Sequence, residues 1–189
     1  MKRLVALTLS LALAGCSQFA RQPAPPQGFN PASAAQLHSW QAEGRIGIRM
    51  ASESHSANLD WWQQQDEYLI ALTGPLGQGG LRIEGDNSGV SLRQSGDDQV
   101  YRASSPEALM QKLLGWHLPL SQARFWIRGL ADPKLPSTPL AAPAIGFTQA
   151  GWRVEYMRFS TQAGQTLPEK LRLQHEDLRL TVILSRWET

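Results

Sequence analysis

The segment LIALTGPLGQGGLRIE, residues 69–84, contains two alternating apolar runs joined by a turn rich in glycine and proline. Alternation with a period of two is typical of a β-strand with one buried face, and Pro and Gly suit a tight reversal. The segment therefore predicts an antiparallel hairpin whose turn contains Pro75, Leu76 and Gly77. Leu76 is unexpected in a turn that faces water. It either folds back onto its own hairpin or contacts an apolar partner.

Strand patterns like those of the hairpin recur on both sides of it. The stretches QAEGRIGIRM, SANLDWWQQ, GWRVEYMRF and DLRLTVILSRW alternate apolar and polar residues, and turn signals such as DNSG separate the strands. Two glycines in QAEGRIGIRM are typical of a strand that bends or is closely approached. The count is about ten strands, and consecutive antiparallel strands of this number tend to curl or close.

Two helical patterns interrupt the strands in the middle of the chain. SSPEALMQKLLGW has Ser105 as N-cap, Pro106 at the first helical position and Gly115 as the stop, and PLSQARFWIRGL predicts a second helix ended by Gly129. A short helix is expected in residues 32–40 and an ordered loop or partial lid in residues 130–143.

The two middle helices must bury their apolar stripes, and the mouth or concave face of the curled sheet is the economical place. Each tryptophan taken alone is more consistent with ordinary core, but seven in 189 residues favour an apolar binding cavity. The candidate lining residues are Ile46, Ile48, Trp61, Tyr68, Ile70, Leu72, Leu109, Leu113, Trp126, Ile127, Trp152 and Leu180.

The N-terminus has the pattern of a secretory signal. Two basic residues precede an apolar run too short to span a membrane, and the run ends in Leu13-Ala14-Gly15-Cys16. This resembles a bacterial lipobox, which implies cleavage of residues 1–15 and acylation of Cys16. Residues 16–31 then form an acylated, proline-rich tether, and residues 32–189 form one domain.

Catalytic and metal-binding patterns are not found in the sequence. The four histidines lack helical ligand spacing, there is one cysteine, and neither G-x-S-x-G nor a P-loop occurs. Lys2 and Arg3 account for the formal net charge of +2, so the rest of the chain is balanced and nothing predicts binding to nucleic acid. We expect no enzyme activity, no metal and no cofactor.

Several motifs together resemble the outer-membrane lipoprotein receptor family LolB, within the LolA/LolB-like carrier superfamily. They are LTGPLGQGGLRIE, GWHLPLSQARFWIRGL, GWRVEY and the paired segments LPEKLRLQ and LRLTVILSRW. The resemblance implies a mainly β fold with some α: an unclosed, half-open antiparallel β-barrel of ten to eleven strands covered by a helical lid.

The resemblance also implies a function. The protein would be held in the outer membrane by the lipid on Cys16, with its domain facing the periplasm, and would act as a monomer. It would receive acylated lipoproteins from the periplasmic carrier LolA, hold their acyl chains in the cavity, and insert them into the inner leaflet of the outer membrane. The loop of Pro75, Leu76 and Gly77 would carry the leucine needed for membrane delivery.

Other functions remain open from the residues alone. A lipid- or lipopolysaccharide-handling envelope lipoprotein would use a similar cavity for a different cargo. An anchored envelope hydrolase would need polar groups in the cavity, and a scaffold subunit of a membrane assembly machine would have stoichiometric partners.

Overall fold

The computed structural model describes residues 25–114, 119–162 and 164–189. The expected signal peptide, Cys16, Gly115 and Trp116 lie outside these ranges. The described chain forms three α-helices, α1 (Pro31–Ala35), α2 (Pro106–Leu114) and α3 (Leu120–Trp126), and eleven strands. The strands are β1 (Ser39–Arg49), β2 (Ser54–Gln64), β3 (Glu67–Thr73), β4 (Gly80–Gly85), β5 (Val90–Gln94), β6 (Val100–Ala103), β7 (Ser137–Pro139), β8 (Ile145–Gln149), β9 (Trp152–Gln162), β10 (Gln165–His175) and β11 (Leu178–Glu188).

All eleven strands belong to one antiparallel sheet in the order β6-β5-β4-β3-β2-β1-β11-β10-β9-β8-β7. Consecutive strands pair with each other throughout, except β6 and β7. The first and last strands, β1 and β11, pair at the centre of the sheet. Strands β6 and β7 form the two edges, and the chain between them runs through α2 and α3. The sheet is therefore unclosed, which confirms the half-open barrel.

A β-bulge bends the central pair of strands. The register between β1 and β11 shifts between Glu43 and Gly44. A Cβ atom at Gly44 would lie 2.0 Å from the carbonyl oxygen of Ile183, so only glycine fits this close approach. Gly47, the second glycine of the strand, is not crowded, since a Cβ there would make an ordinary van der Waals contact, 3.9 Å from the carbonyl oxygen of Thr181.

The alternating residues of the strands form the core on the concave face. In β11, Leu178, Leu180, Val182 and Leu184 are buried while their sequence neighbours are more exposed. Three buried tryptophans pack together at one place, with the ring of Trp40 centred 5.4 Å from Trp61 and 5.5 Å from Trp187. Most tryptophans of the described chain are therefore core residues, as the sequence pattern predicted for each tryptophan considered singly.

The middle helices start and end largely where their sequences predict. The Ser105 hydroxyl accepts a hydrogen bond from the backbone N–H of Ala108 over 3.2 Å, which is the N-cap interaction of α2. Gly129 follows α3 with a φ of +90°, a left-handed conformation that suits a helix end. None of the helices in the described ranges has the length and hydrophobicity of a transmembrane span.

Two local predictions were wrong. The helix expected in residues 32–40 ends at Ala35, and Ser39 already begins β1, because this segment pairs with β2 through Ser39 and Gln64. The segment expected to be a loop contains β7, which pairs with β8. Three residues are too few for a periodic signal, and a strand that ends in Pro139 is tolerated at a sheet edge.

Candidate functional site

The concave face of the sheet and the two middle helices enclose a largely apolar cavity of about 640 Å³. Strands β1 to β5, β10 and β11 form its floor, and residues of α2 and α3 form its roof. Nine of the twelve predicted lining residues lie on its wall, namely Ile46, Ile48, Trp61, Ile70, Leu72, Leu113, Trp126, Ile127 and Leu180.

The other three predicted residues lie elsewhere. Leu109 is completely buried, and the next residue of α2, Met110, contributes to the cavity instead. Trp152 is buried between the rings of Trp126, 6.2 Å away, and His175, 5.3 Å away. Tyr68 lies beyond the cavity against Gly85, and burial raises the pKa of its phenol to about 12.

The cavity also has many lining residues that the sequence analysis did not predict. The apolar ones are Met50, Ala57, Leu59, Leu81, Ile83, Met110, Leu120, Ala123, Leu171, Leu173 and Val182. Nearly all the strand residues among them share the alternating face of a predicted strand, so the same period-two signal could have found them. The polar ones are Glu53, His55, Ser56, Gln78 and Gln94.

The loop that joins β3 to β4 forms one margin of the cavity. Gly74, Gln78 and Gly79 line the cavity, while Leu76 at the loop tip is 97% exposed and does not fold back onto the hairpin. Its φ of +61° is the left-handed conformation that non-glycine residues rarely adopt, and it projects the side chain into solvent.

Backbone geometry fixes this loop. Residues 74–77 form a tight turn, in which the N–H of Gly77 donates to the carbonyl of Gly74 over 3.1 Å and Leu76 has left-handed backbone angles. A Cβ atom at Gly74 would lie 2.3 Å from the carbonyl oxygen of Gln78, so glycine is required there. The loop thus presents one apolar side chain in a defined backbone conformation.

Helix α3, part of the cavity roof, is tied to the sheet by polar contacts. Arg124 Nη1 donates to Asp66 Oδ1 in the β2–β3 turn over 2.8 Å, and the Asn87 amide donates to the other carboxylate oxygen over 2.9 Å. These hydrogen bonds, that of Arg124 foremost, lower the pKa of Asp66. Farther along, Trp126 Nε1 donates to Gln149 Oε1 over 2.8 Å.

Arg128, just beyond α3, connects the N-terminal segment to the roof. Its side chain is 6% exposed and donates to the carbonyl oxygens of Ala34, Leu37 and Arg124 over 3.1, 2.7 and 3.0 Å. Burial, together with the charge of Arg124, lowers the pKa of its guanidinium. Three carbonyls therefore solvate this buried cation.

In the described ranges, no group of three or more His, Cys, Asp or Glu residues could hold a metal ion. The wall of the cavity offers hydrocarbon and aromatic surface with a few polar groups at one margin. This chemistry suits binding of an apolar ligand.

The sheet is unclosed and antiparallel, and two short helices cover the apolar cavity on its concave face. This architecture defines a protein with the LolA-like open β fold. The crystal structure of a LolA superfamily protein from Nitrosomonas europaea supports this class, with a TM-score of 0.50 at 10% identity over 81% of this chain and 86% of that one. The family model described as Outer membrane lipoprotein LolB matches residues 38–187. The chain belongs to the LolB family.

Curated relatives agree with this assignment. The chain is 38% identical to the Outer-membrane lipoprotein LolB of Stutzerimonas stutzeri, over 100% of this chain and 96% of that protein. It is 40% identical to the Outer-membrane lipoprotein LolB of Cellvibrio japonicus, over 98% of this chain and 95% of that protein.

Proposed function

We propose that this chain is an outer-membrane lipoprotein that receives acylated lipoproteins from the periplasmic carrier LolA and inserts their acyl chains into the inner leaflet of the outer membrane. It is anchored by the lipid on Cys16, faces the periplasm and acts as a monomer without a cofactor. The observation that carries this proposal is an apolar cavity of about 640 Å³ that ends at the loop projecting Leu76.

The cavity supplies the driving force for the first step. Transfer of an acyl chain into water costs about 0.8 kcal/mol of free energy per methylene. The chains must therefore pass from one apolar surface to another without exposure to water. If this cavity binds the chains about 1.4 kcal/mol more tightly than the carrier does, transfer is favoured tenfold. The walls formed by Ile46, Trp61 and Trp126 provide such a surface.

The loop serves the second step. Burial of a leucine side chain in lipid contributes about 1.5–3 kcal/mol, which is too little to anchor a protein but enough to orient a tethered one. Leu76 therefore brings the adjacent end of the cavity to the bilayer. The chains then leave for the membrane, where they are buried more completely.

A transfer assay tests the proposal. Purified LolA carrying a triacylated lipoprotein is mixed with this protein, and the lipoprotein is followed first onto this protein and then onto phospholipid vesicles. We expect both steps without nucleotide. Ala57→Trp, which fills the cavity, should reduce the first step, while Ala150→Trp, in an exposed turn away from the cavity, should not. Failure of the unmodified protein to accept the lipoprotein would contradict the proposal.

A further inference from the structure

The cavity is polar at one end only. Its polar lining residues are Glu53, His55, Ser56, Gln78 and Gln94, which we call the rim. The register of the strands places the start of β2, the β3–β4 loop and the end of β5 at the same end of the sheet, where Leu76 projects. The cavity is therefore amphipathic along its length.

The opposite end of the cavity is aromatic. Trp61 lies on the same strand as His55, and at roughly 3.3 Å per residue the two are about 20 Å apart along β2. Trp126 contributes a second ring to the wall from α3. An amphiphile would gain most by placing its hydrocarbon toward these rings and its polar group at the rim.

The rim differs from a phosphate site in its charge. No lysine or arginine lines the cavity in the described residues, and Glu53 contributes a carboxylate whose Oε2 lies 2.7 Å from His55 Nε2. A phosphate at the rim would meet this carboxylate without the arginine or lysine partner that usually binds it. The amides of Gln78 and Gln94 can instead donate to uncharged carbonyl oxygens.

We infer that the rim is a subsite for an uncharged acyl headgroup, the glyceryl thioether esters and N-acyl amide of a triacylated cysteine, and that the acyl chains run from it toward Trp61. This inference rests on the proposed function and adds a basis for selecting its cargo. Phospholipids have similar chains, but their phosphate is disfavoured at the rim.

Two ligands with identical chains test the headgroup preference. The probes are an S-diacylglyceryl cysteinyl peptide of zero net charge, with its amine acetylated so that it keeps the esters and the amide, and a phosphatidic acid with the same two acyl chains. Each displaces the same bound fluorescent fatty probe from the full-length protein. We expect at least tenfold tighter binding of the peptide. Gln78→Ala with Gln94→Ala should weaken peptide binding about five- to tenfold, since two neutral hydrogen bonds are lost. Gln99→Ala, an exposed glutamine outside the cavity, is the matched control.

A charge reversal tests the exclusion of phosphate. Glu53→Arg should raise the affinity for phosphatidic acid about tenfold, because it places a guanidinium at the rim. Glu176→Arg makes the same charge change in an exposed turn that does not line the cavity, and should leave the ratio of the two affinities unchanged.

Brominated chains test the orientation, because bromine quenches tryptophan fluorescence at short range. A peptide brominated at the chain ends should quench more than one brominated next to the ester carbonyls. Trp61→Phe should reduce that difference. The reverse order of quenching would overturn the orientation.

The remaining outcomes separate this inference from the proposed function. Equal affinity for both headgroups, with no effect of the rim variants on the ratio, overturns the headgroup subsite while acyl binding still stands. Failure to bind either acylated ligand contradicts the proposed function, and the subsite with it.

Discussion

Replacement of Leu76 by glutamate should separate membrane contact from folding. The side chain is 97% exposed, so the variant loses almost no contact within the protein. Surface substitutions of this kind usually change the free energy of unfolding by less than about 0.5 kcal/mol. Chemical denaturation should therefore give the same midpoint for Leu76→Glu and its parent.

The change in the free energy of vesicle binding should be much larger than the change in the free energy of unfolding. The variant forfeits the burial of one leucine, about 1.5–3 kcal/mol. At about 1.4 kcal/mol per factor of ten, vesicle binding should weaken roughly tenfold to a hundredfold. Both proteins carry Cys16→Ala in this experiment, so that an acyl anchor does not mask the difference.

Flotation with phospholipid vesicles measures the bound fraction over a range of lipid concentrations. Leu135→Glu is the matched control, because Leu135 is also apolar and exposed (37%) but lies before β7, away from the loop. We expect it to bind vesicles like its parent. Equal flotation of folded Leu76→Glu and its parent would refute the role assigned to the loop.

Three further predictions concern the framework of the site. Gly44→Ala should lower the free energy of unfolding by about 1–3 kcal/mol, since its Cβ would overlap a carbonyl oxygen. Gly47→Ala, where the Cβ has room, should lower it less, and urea denaturation compares the two variants. Arg128→Met should cost about 1–3 kcal/mol in the same assay, because buried carbonyls lose their donor, and an unchanged midpoint would contradict this role. Asp66→Asn should destabilise the protein at neutral pH. Because the native pKa of Asp66 is lowered, the difference in free energy of unfolding between the two proteins should shrink as the pH falls below the ordinary aspartate value of about 3.9. Denaturation at several pH values measures this difference, and a constant difference would contradict the ion pair.

Much of the fold follows from local pattern. Strands such as β11 are long and strictly alternating, so periodicity alone identifies them and their buried face. Where the local helical preference of a segment conflicted with strand pairing, the structure has the paired strand. Residues 36–40 follow an alanine-rich helical start, yet Trp40 belongs to β1 because Ser39 and its neighbours pair with β2.

The wall of the cavity was harder to predict than its existence. Alternation identifies which residues face inward, but not how far along the strand the roof extends. Tyr68 and Ile70 share a face of β3, yet only Ile70 lines the cavity. The difference between Leu109 and Met110 is one step of about 100° around α2, which depends on tertiary packing rather than on the helical pattern.

The pairing of β1 with β11 at the centre of the sheet has a consequence for biogenesis. A chain that folds as it emerges from its N-terminus presents β1 as its first strand, and the central partner of this strand, residues 178–188, comes last. Until then, one long edge of β1 stays unpaired and the hollow has no continuous floor. The cavity therefore forms late, after nearly all of the polypeptide is available to fold, and the open edge of β1 is exposed to wrong pairing for the whole of that interval.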